Sequence, residues 1–299
     1  MKLFERGAAV DVVFGVGLIG VTVCDAIRHL PGPPVTRETT IPSDWAGALG
    51  VANSLKAADP WIAAAVATRR VRVFWCAGRG GFASSAASLT SELDSFRAVL
   101  EWTQGLDQRF PTEFHMLSSG GGIHEGQLRI EGPAPSGALR PYAELKLSQE
   151  RALEHSQLKK KYVYRPSSVY GVPRRQQRLG MIPTLVLNAL RRRPTTISAN
   201  ATTLRDYVSA HDVGAFVAAE GEKDRCSYLV MGRPTSIFSL QLAVERYLQR
   251  QVAVVFTLTK DNSGSITYSP RLKPVGWRPS PIESNLARIV TALQSLTAP

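Results

Sequence analysis

A tyrosine and a lysine four residues apart are the side chains of this sequence best suited to acid–base chemistry. The i,i+4 spacing of Tyr142 and Lys146 places both on one face of a helix. A lysine ammonium in that position can lower the pKa of a phenol, which is otherwise near ~10. Ser118 and Ser119 follow the apolar run 114–117 and supply hydroxyls to share a substrate oxygen. The spacing predicts a tyrosine acid–base with a serine beside it, whereas chance surface neighbours would show the same Tyr–Lys spacing.

A glycine-rich turn near the start of the chain has the pattern of a nucleotide-binding loop. Gly15, Gly17 and Gly20 lie between the β-rich run 10–14 and the apolar run 21–30, which has helical spacing. In such a turn the first glycine permits the bend, the second admits a pyrophosphate and the third lets helix and strand pack closely. Alone the pattern fits any glycine-rich turn, but the strand before it and the helix after it favour a dinucleotide site.

Alternating strands and helices must position these residues. Predicted strands cover 10–14, 35–37, 71–76, 114–117 and 162–164, and predicted helices cover 21–30, 60–69, 91–104 and 142–158. This alternation predicts a Rossmann-type doubly wound parallel α/β sheet over residues 1–165. The looser pattern of residues 166–299 predicts a smaller α+β substrate lobe, with a segment near 206–225 returning to the first domain.

Composition narrows the class of protein. The 299 residues are 44% hydrophobic, which excludes a disordered chain. Cys24, Cys76 and Cys226 form no CxxC pair or Cys/His cluster, so we expect no disulfide framework, no metal and a reducing cytosol. No apolar run approaches ~18 residues, so we expect no membrane contact. The net charge of +12 suits an anionic small substrate, with nucleic acid as the rival partner, although the basic clusters are too short for a nucleic-acid tail.

The order of the motifs resembles the extended branch of the short-chain dehydrogenase/reductase superfamily, the NAD-dependent epimerase/dehydratase proteins. The matching segments are the turn 15–20, Cys76-Ala77-Gly78, Ser118-Ser119, Tyr142 with Lys146, Arg165-Pro166-Ser167-Ser168-Val169-Tyr170-Gly171, Arg205-Asp206-Tyr207-Val208 and Gly276-Trp277-Arg278-Pro279. The resemblance covers nearly the whole chain. It implies an NAD(P) site in the first domain and a nucleotide-diphosphate sugar in the cleft beside the second.

The resemblance also implies roles for single residues. Tyr142 is the acid–base, Lys146 holds the nicotinamide ribose, and Ser119 bonds the reacting oxygen. Arg205 binds the substrate diphosphate, with a surface salt bridge to Asp206 as the alternative. Expected cofactor contacts are Gly15, Gly17, Leu18, Ile19, Gly20, Arg37, Cys76, Ala77, Gly78, Tyr142, Lys146 and Pro166. Expected substrate contacts are Ser118, His124, Ser168 and Arg205, with Arg174, Arg175, Arg178 and Lys260 as further basic candidates.

Three departures from the family pattern bear on the reaction and the cofactor. Phe14 stands where the branch has its first glycine, which reshapes the phosphate turn. The glycines 120–122 replace the acidic pair of the dehydratases, which argues against dehydration. Arg37 ends the predicted second strand and could pair with a 2′-phosphate, so NADP is favoured over NAD despite the adjacent Glu38.

These features predict an NAD(P)-dependent nucleotide-sugar epimerase that transfers a hydride through a keto-sugar intermediate. Two alternatives stay open, an NADPH-dependent keto-sugar reductase of the same family and a non-catalytic NAD(P)-binding protein. The resemblance further implies a homodimer that pairs through the helix 91–104 and the helix from Tyr142.

Overall fold

A computed structural model describes residues 1–43, 48–64, 70–78, 86–132, 140–172, 179–219, 226–257 and 264–297. In the first half of the chain the elements are β1 (Lys2–Arg6), β2 (Ala9–Phe14), α1 (Leu18–Arg28), β3 (Val35–Thr40), α2 (Ala48–Ala64), β4 (Arg70–Trp75), α3 (Ala86–Asp107), β5 (Thr112–Leu117), α4 (Gly120–Ile123), β6 (Arg129–Ile130) and α5 (Pro141–Glu154). The second half adds β7 (Lys160–Pro166), β8 (Ser168–Tyr170), α6 (Met181–Leu190), β9 (Thr195–Ile197), β10 (Leu204–Ser209), α7 (Ala210–Ala218), β11 (Ser227–Val230), β12 (Arg233–Ser236), α8 (Ile237–Leu248), β13 (Val254–Phe256), β14 (Thr267–Tyr268) and α9 (Glu283–Thr297).

A seven-stranded sheet, in the order β11-β7-β5-β4-β2-β1-β3, is the centre of the described structure. From β2 through β4, β5 and β7 to β11, each strand pairs in parallel with its neighbour. Helices connect these strands, as parallel pairing requires. The predicted Rossmann-type α/β class is confirmed.

The strand β1 is a feature that the sequence analysis missed. It forms a hairpin with β2 across Gly7, whose φ is +58° and suits glycine. It also pairs antiparallel with β3, so it lies between β2 and β3. The strand that follows α1, which is β3, therefore lies two positions from β2 in the sheet. Next to the end of β2, where the glycine turn begins, lies Lys2 of β1, which pairs with Val13.

Apolar side chains alternate between the two faces of the sheet and build a core on each face. Phe14 and Trp75 point to the face that α2, α3 and α5 cover, in a core that includes Phe96. Val13 and Phe74 point to the opposite face, which α1 and α7 cover. The period of two in β2 and β4 thus fixes which helices lie on each side.

Helices α6, α8 and α9 enclose a separate core, which includes Leu185 and Leu240. Strands β12, β10 and β8 form a small sheet beside it. After β10 the chain returns to the large sheet. There α7 packs on α1, where the Thr22 hydroxyl donates to the Ala210 carbonyl at 2.7 Å. Among the described residues, no helix has both the length and the apolar character that a membrane crossing needs.

A buried ion pair joins the two central strands. Asp11 and Arg72 are opposite each other on β2 and β4 and are at most 1% exposed. Arg72 donates to the Asp11 carboxylate at 2.6 and 2.7 Å, and its remaining nitrogen donates to the Ala218 carbonyl at the end of α7 at 2.8 Å. Because both carboxylate oxygens are bonded, the pair fixes the β2–β4 register and attaches α7 to it.

Removing one partner of this pair should be strongly destabilising. We expect Asp11→Ala to lower the free energy of unfolding by about 3–5 kcal/mol, because it leaves a buried guanidinium without its counter-charge. Urea denaturation measures the loss. Asp94→Ala, which removes the exposed partner of Arg97 on α3, is the control and should cost less than ~1 kcal/mol. Equal effects of the two substitutions would contradict this account of the pair.

Candidate active site

The glycine turn is held by backbone contacts that leave no room for side chains. Gly15 has a φ of +79°, and a Cβ there would lie 2.2 Å from the Ala77 Cα atom. A Cβ on Gly20 would lie 1.9 Å from the Gly15 carbonyl oxygen. Phe14, which stands where the family has its first glycine, is instead the buried last residue of β2. The turn therefore starts at Gly15, tight against the end of β4.

Gly17 is the exception within the turn, because nothing lies within 4 Å of the position of its Cβ. It is the N-cap of α1 and makes no side-chain cap, so the first N–H groups of the helix need another acceptor. An open space in front of a helix N-terminus suits a phosphate. The turn thus fits the pyrophosphate of a dinucleotide.

The tyrosine and lysine lie on α5 as the spacing predicts. The helix begins at Pro141, which is suited to the first helical position, so Tyr142 is in the first turn. The Lys146 Nζ atom lies 5.9 Å from the centre of the Tyr142 ring, and the lysine is 4% exposed. The lysine charge is thereby held near the tyrosine ring and largely removed from solvent.

Ser119 lies next to Tyr142 because of the glycines between them. Its Oγ accepts a hydrogen bond from the Gly122 N–H at 3.1 Å and caps the short helix α4. A Cβ on Gly122 would lie 3.1 Å from that oxygen and 3.2 Å from the Tyr142 ring. The small glycine thus brings the serine hydroxyl and the tyrosine ring to the same place. Because Ser119 accepts in this bond, its own proton is available for donation.

The hydroxyl of Ser118 is engaged in a hydrogen bond within the protein. Its hydroxyl donates to the Glu150 carboxylate, which Arg165 also holds at 2.6 and 3.0 Å. The residue borders the cavity, but its one proton is used in this buried bond. Ser118 therefore fixes the end of β5 to α5 and β7, and its contact with a substrate stays a prediction.

A cavity of about 770 Å³ lies between the large sheet and the second part of the chain. We call it the central cavity. Eight of the predicted site residues border it: Leu18, Ile19, Ser118, Ser119, Tyr142, Pro166, Ser168 and Arg205. The carboxyl ends of β2, β5 and β7 and the small sheet β12-β10-β8 meet there, which is where a doubly wound fold places its ligand.

His124 does not reach the central cavity, which makes its prediction as a substrate contact wrong. Its side chain is fully buried and packs edge-to-face on Tyr268, with ring centres 6.0 Å apart. Burial lowers the pKa of this histidine, so the ring is neutral at neutral pH. Its neighbour Glu125 is the residue that borders the cavity, and Arg140 donates to it at 2.8 Å. The sequence analysis did not identify Arg140 as a residue that borders the cavity. The one sequence signal for it is its position directly before Pro141, at the start of the helix that carries Tyr142.

Arg37 lies in the middle of β3 rather than at a strand end. Its guanidinium stacks on the Trp61 ring at 5.0 Å, on the side of the sheet that α2 covers. Because β1 separates β3 from β2, this arginine is two strands from the glycine turn. The adjacent Glu38 bonds Arg28 and Lys2, and the hydrogen bond from Arg28 contributes most to lowering its pKa to about 2. The predicted contact of Arg37 with a 2′-phosphate therefore has no support in the fold.

Arg205 borders the central cavity from β10. Its guanidinium donates to the carbonyls of Leu204 and Gly264. The alternative of a surface salt bridge to Asp206 is wrong, because Asp206 is 1% exposed and accepts from the Tyr268 N–H at 3.0 Å. The other basic candidates, Arg174, Arg175, Arg178 and Lys260, lie outside the described residues.

Comparison with known proteins identifies the class to which this fold and site belong. A family model for NAD dependent epimerase/dehydratase proteins matches residues 56–225, more than half of the chain. The chain belongs to the NAD dependent epimerase/dehydratase family. The family predicted from the motifs is confirmed.

Particular solved structures share the fold over nearly the full chain. UDP-glucose 4-epimerase of Thermotoga maritima, solved with UDP-glucose, has a TM-score of 0.74 at 19% identity and covers 96% of this chain and 99% of its own. The Thermus thermophilus enzyme of the same name, in complex with NAD, has a TM-score of 0.73 at 20% identity over 95% and 98%. UDP-N-acetylglucosamine 4-epimerase of Methanobrevibacter ruminantium, in complex with UDP-N-acetylmuramic acid, has a TM-score of 0.72 at 17% identity over 98% and 100%. No curated protein matches the sequence.

The buried carboxyl of Asp206 should make stability depend on pH. Burial raises the pKa of Asp206 to about 7 from an ordinary 3.8, so the folded protein holds a proton that the unfolded chain releases. The contribution of the Asp206 carboxyl to the free energy of unfolding is therefore present at low pH and is lost as pH rises through 7. Between pH 5 and pH 8 we expect wild type to lose about 2 kcal/mol more of its free energy of unfolding than Asp206→Asn. Urea denaturation at both pH values measures this, and identical losses would contradict it.

Proposed function

We propose that the chain is an NAD(P)-dependent nucleotide-sugar epimerase that acts through a keto-sugar intermediate. The observation that carries this proposal is the central cavity, where the start of α1, the Ser119–Tyr142 pair and Arg205 meet. A cofactor loop, an acid–base and a cation for a diphosphate are the parts that this reaction needs. The family of the chain and the sugar nucleotides named in the related epimerase structures support the same reaction.

Two parts of the chain divide the binding. Residues 1–165, with the segment near 206–225, would hold the cofactor, and most of residues 166–299 would hold the nucleotide sugar. The return of α7 and β11 to the large sheet supports this division. We further propose a cytoplasmic homodimer, in which α3 and α5, which pack side by side on one face of the sheet, would meet the same helices of a second copy.

The glycine turn would hold the cofactor through its pyrophosphate. Gly17 leaves the space, and the free N–H groups of α1 supply the donors. Lys146 would donate to the nicotinamide ribose. The bound nicotinamide would accept a hydride from the sugar carbon and return it, which is chemistry that no side chain supplies. The position of Arg37 on Trp61 removes the reason to favour NADP, so we propose NAD as the cofactor.

Tyr142 and Ser119 would handle the proton at the reacting sugar oxygen. Tyr142 would take the hydroxyl proton as its phenolate when the carbon is oxidised, and the resulting phenol would return that proton when the ketone is reduced. Ser119 donates its free proton to the same oxygen, because the Gly122 N–H already occupies a lone pair of Oγ. The two groups would therefore bind the oxygen in both its hydroxyl and ketone forms.

Arg205 and the size of the central cavity suit the substrate. A guanidinium forms strong paired hydrogen bonds with phosphate oxygens, so Arg205 would bind the diphosphate. Ser168 borders the same cavity and would contact the nucleotide sugar. A volume of about 770 Å³ is in the range of small-molecule sites and leaves space for a keto sugar to turn its other face. A reductase would need no such turn, and retention of Tyr142 and Ser119 argues against a non-catalytic protein.

Gly17→Ala should separate cofactor binding from folding. No atom lies within 4 Å of the added methyl group in the structure, so the melting temperature should stay within about 2 °C of wild type. The methyl group would occupy the space proposed for the pyrophosphate, so the Kd for NADH should rise at least about tenfold. Fluorescence titration with NADH measures it. Gly105→Ala on α3, which is equally free of contacts, is the control, and unchanged NADH binding by Gly17→Ala would overturn this site.

Tyr142→Phe tests the reaction itself. The variant should lose at least about 100-fold in kcat for interconversion of UDP-glucose and UDP-galactose, because the proton acceptor is gone, and should still bind NADH. Sugar-nucleotide chromatography follows the products, with other UDP-sugars in parallel assays. Tyr247→Phe, at an exposed position on α8, is the control. Unaltered turnover in Tyr142→Phe would refute the assignment, and net consumption of NADPH with a keto sugar would favour the reductase.

A further inference from the structure

A carboxylate lies beside Lys146 that neither the motifs nor the proposed reaction explains. Glu92, on α3, approaches the Lys146 Nζ atom to 3.5 Å. Both side chains are largely buried, at 11% and 5% exposure. Gln149 joins the two, because its oxygen accepts from Lys146 at 3.0 Å and its nitrogen donates to Glu92 at 3.5 Å. The buried lysine thus has a counter-charge from another helix.

Glu92 also lies against the cofactor end of the sheet. Gly78 follows β4, and a Cβ on it would lie 2.6 Å from the Glu92 Oε1 atom. This loop, with Ala77, packs against Gly15, so the carboxylate is next to the switch point between β2 and β4. Ligands of doubly wound sheets bind at that point. Lys146 lies 5.9 Å from the ring of Tyr142, which borders the central cavity, so both charges are close enough to change the relative stability of the charged and neutral forms of a nicotinamide bound there.

The neighbouring acid on α5 does not duplicate this contact. Glu150 is held by Arg165 at 2.6 Å and by the Ser118 hydroxyl. Glu92 is the carboxylate that the described residues place within salt-bridge distance of Lys146. A glutamine at position 92 could make the same contacts with Lys146 and Gln149 without a charge. The feature that distinguishes glutamate here is therefore its negative charge.

We propose that Glu92 offsets the charge of Lys146 and so favours the oxidised over the reduced form of the bound nicotinamide cofactor. The oxidised ring is cationic and the reduced ring is neutral, so a lone ammonium nearby would disfavour the oxidised form. A carboxylate beside that ammonium cancels the effect. The inference rests on the proposed function, in which the resting enzyme must hold the oxidised form to accept the first hydride. Glu92 is a positioning and charge-balancing residue, and Lys146 keeps its contact with the ribose.

Glu92→Gln tests the proposal by binding rather than by turnover. We measure Kd for NAD⁺ and for NADH with wild type, Glu92→Gln and Glu101→Gln, an exposed residue on the same helix. In Glu92→Gln the ratio of the Kd for NAD⁺ to that for NADH should rise on the order of tenfold, the effect expected of one partly buried unit charge. Binding of ADP, which lacks the nicotinamide ribose, should stay unchanged. Glu101→Gln should keep the wild-type ratio.

Two further variants keep the test decisive if Glu92→Gln folds poorly. Glu92→Asp retains the charge and should restore the wild-type ratio to within about threefold. Lys146→Met removes the ammonium, so its ratio should fall below that of wild type. A Kd ratio that is the same in all variants would overturn the inference about Glu92. If wild type nevertheless binds both nucleotides, the proposed function still stands. Failure of wild type to bind either nucleotide would overturn both.

Discussion

The contact between the glycine turn and the end of β4 is the constraint on which the rest of the site depends. Gly15, Gly20 and Ala77 approach so closely that a single Cβ on either glycine would overlap backbone atoms. That approach sets the start of α1 at the carboxyl edge of the sheet, where Gly17 provides no side-chain cap and Leu18 and Ile19 border the central cavity. The opposite side of α1 then receives α7, where Gly214 leaves room for Thr22. The second part of the chain is thereby brought over the cofactor end of the sheet.

Three carboxylate–base pairs lie along α5, the helix that carries Tyr142. Glu92 accompanies Lys146, Glu125 accompanies Arg140, and Glu150 accompanies Arg165. Each pair joins α5 or the residue before it to another part of the chain, so α3, the segment after α4 and β7 all hold this helix. Such pairs cost desolvation, and their benefit is a defined orientation rather than stability alone.

The inserted strand β1 changes the half of the sheet that would face the adenosine of a cofactor. In the common doubly wound order, the strand after α1 lies next to β2 and ends in the side chain that reads the ribose. Here an antiparallel strand occupies that place, and Glu38 is already held by Lys2 and Arg28. The strands β2, β4, β5, β7 and β11 keep the parallel doubly wound order, and the departure is confined to β1 and β3. Phe14, which replaces the family's first glycine, is not part of this rearrangement. Its side chain packs in the core and does not take part in the turn.

The sequence by itself determined the local elements with strong periodicity and the motifs that they carry. The strands ending at Phe14, Trp75 and Leu117 and the helix of Tyr142 follow from apolar spacing and glycine positions, which are local properties. The prediction that a helix starts at residue 60 was wrong, since α2 begins at Ala48 and continues through Pro60, with Trp61 and Ile62 buried in the core.

Tertiary structure alone decided what depends on strand order and burial. The slot of β1, the distance of Arg37 from the turn, the burial of His124 and the use of the Ser118 proton by Glu150 all arise from residues far apart in the chain. Glu92 has no motif of its own and meets Lys146 only because α3 and α5 pack on the same face of the sheet. Spacing along a chain predicts which side chains share a face of one element, whereas the partner across the gap depends on how the elements pack.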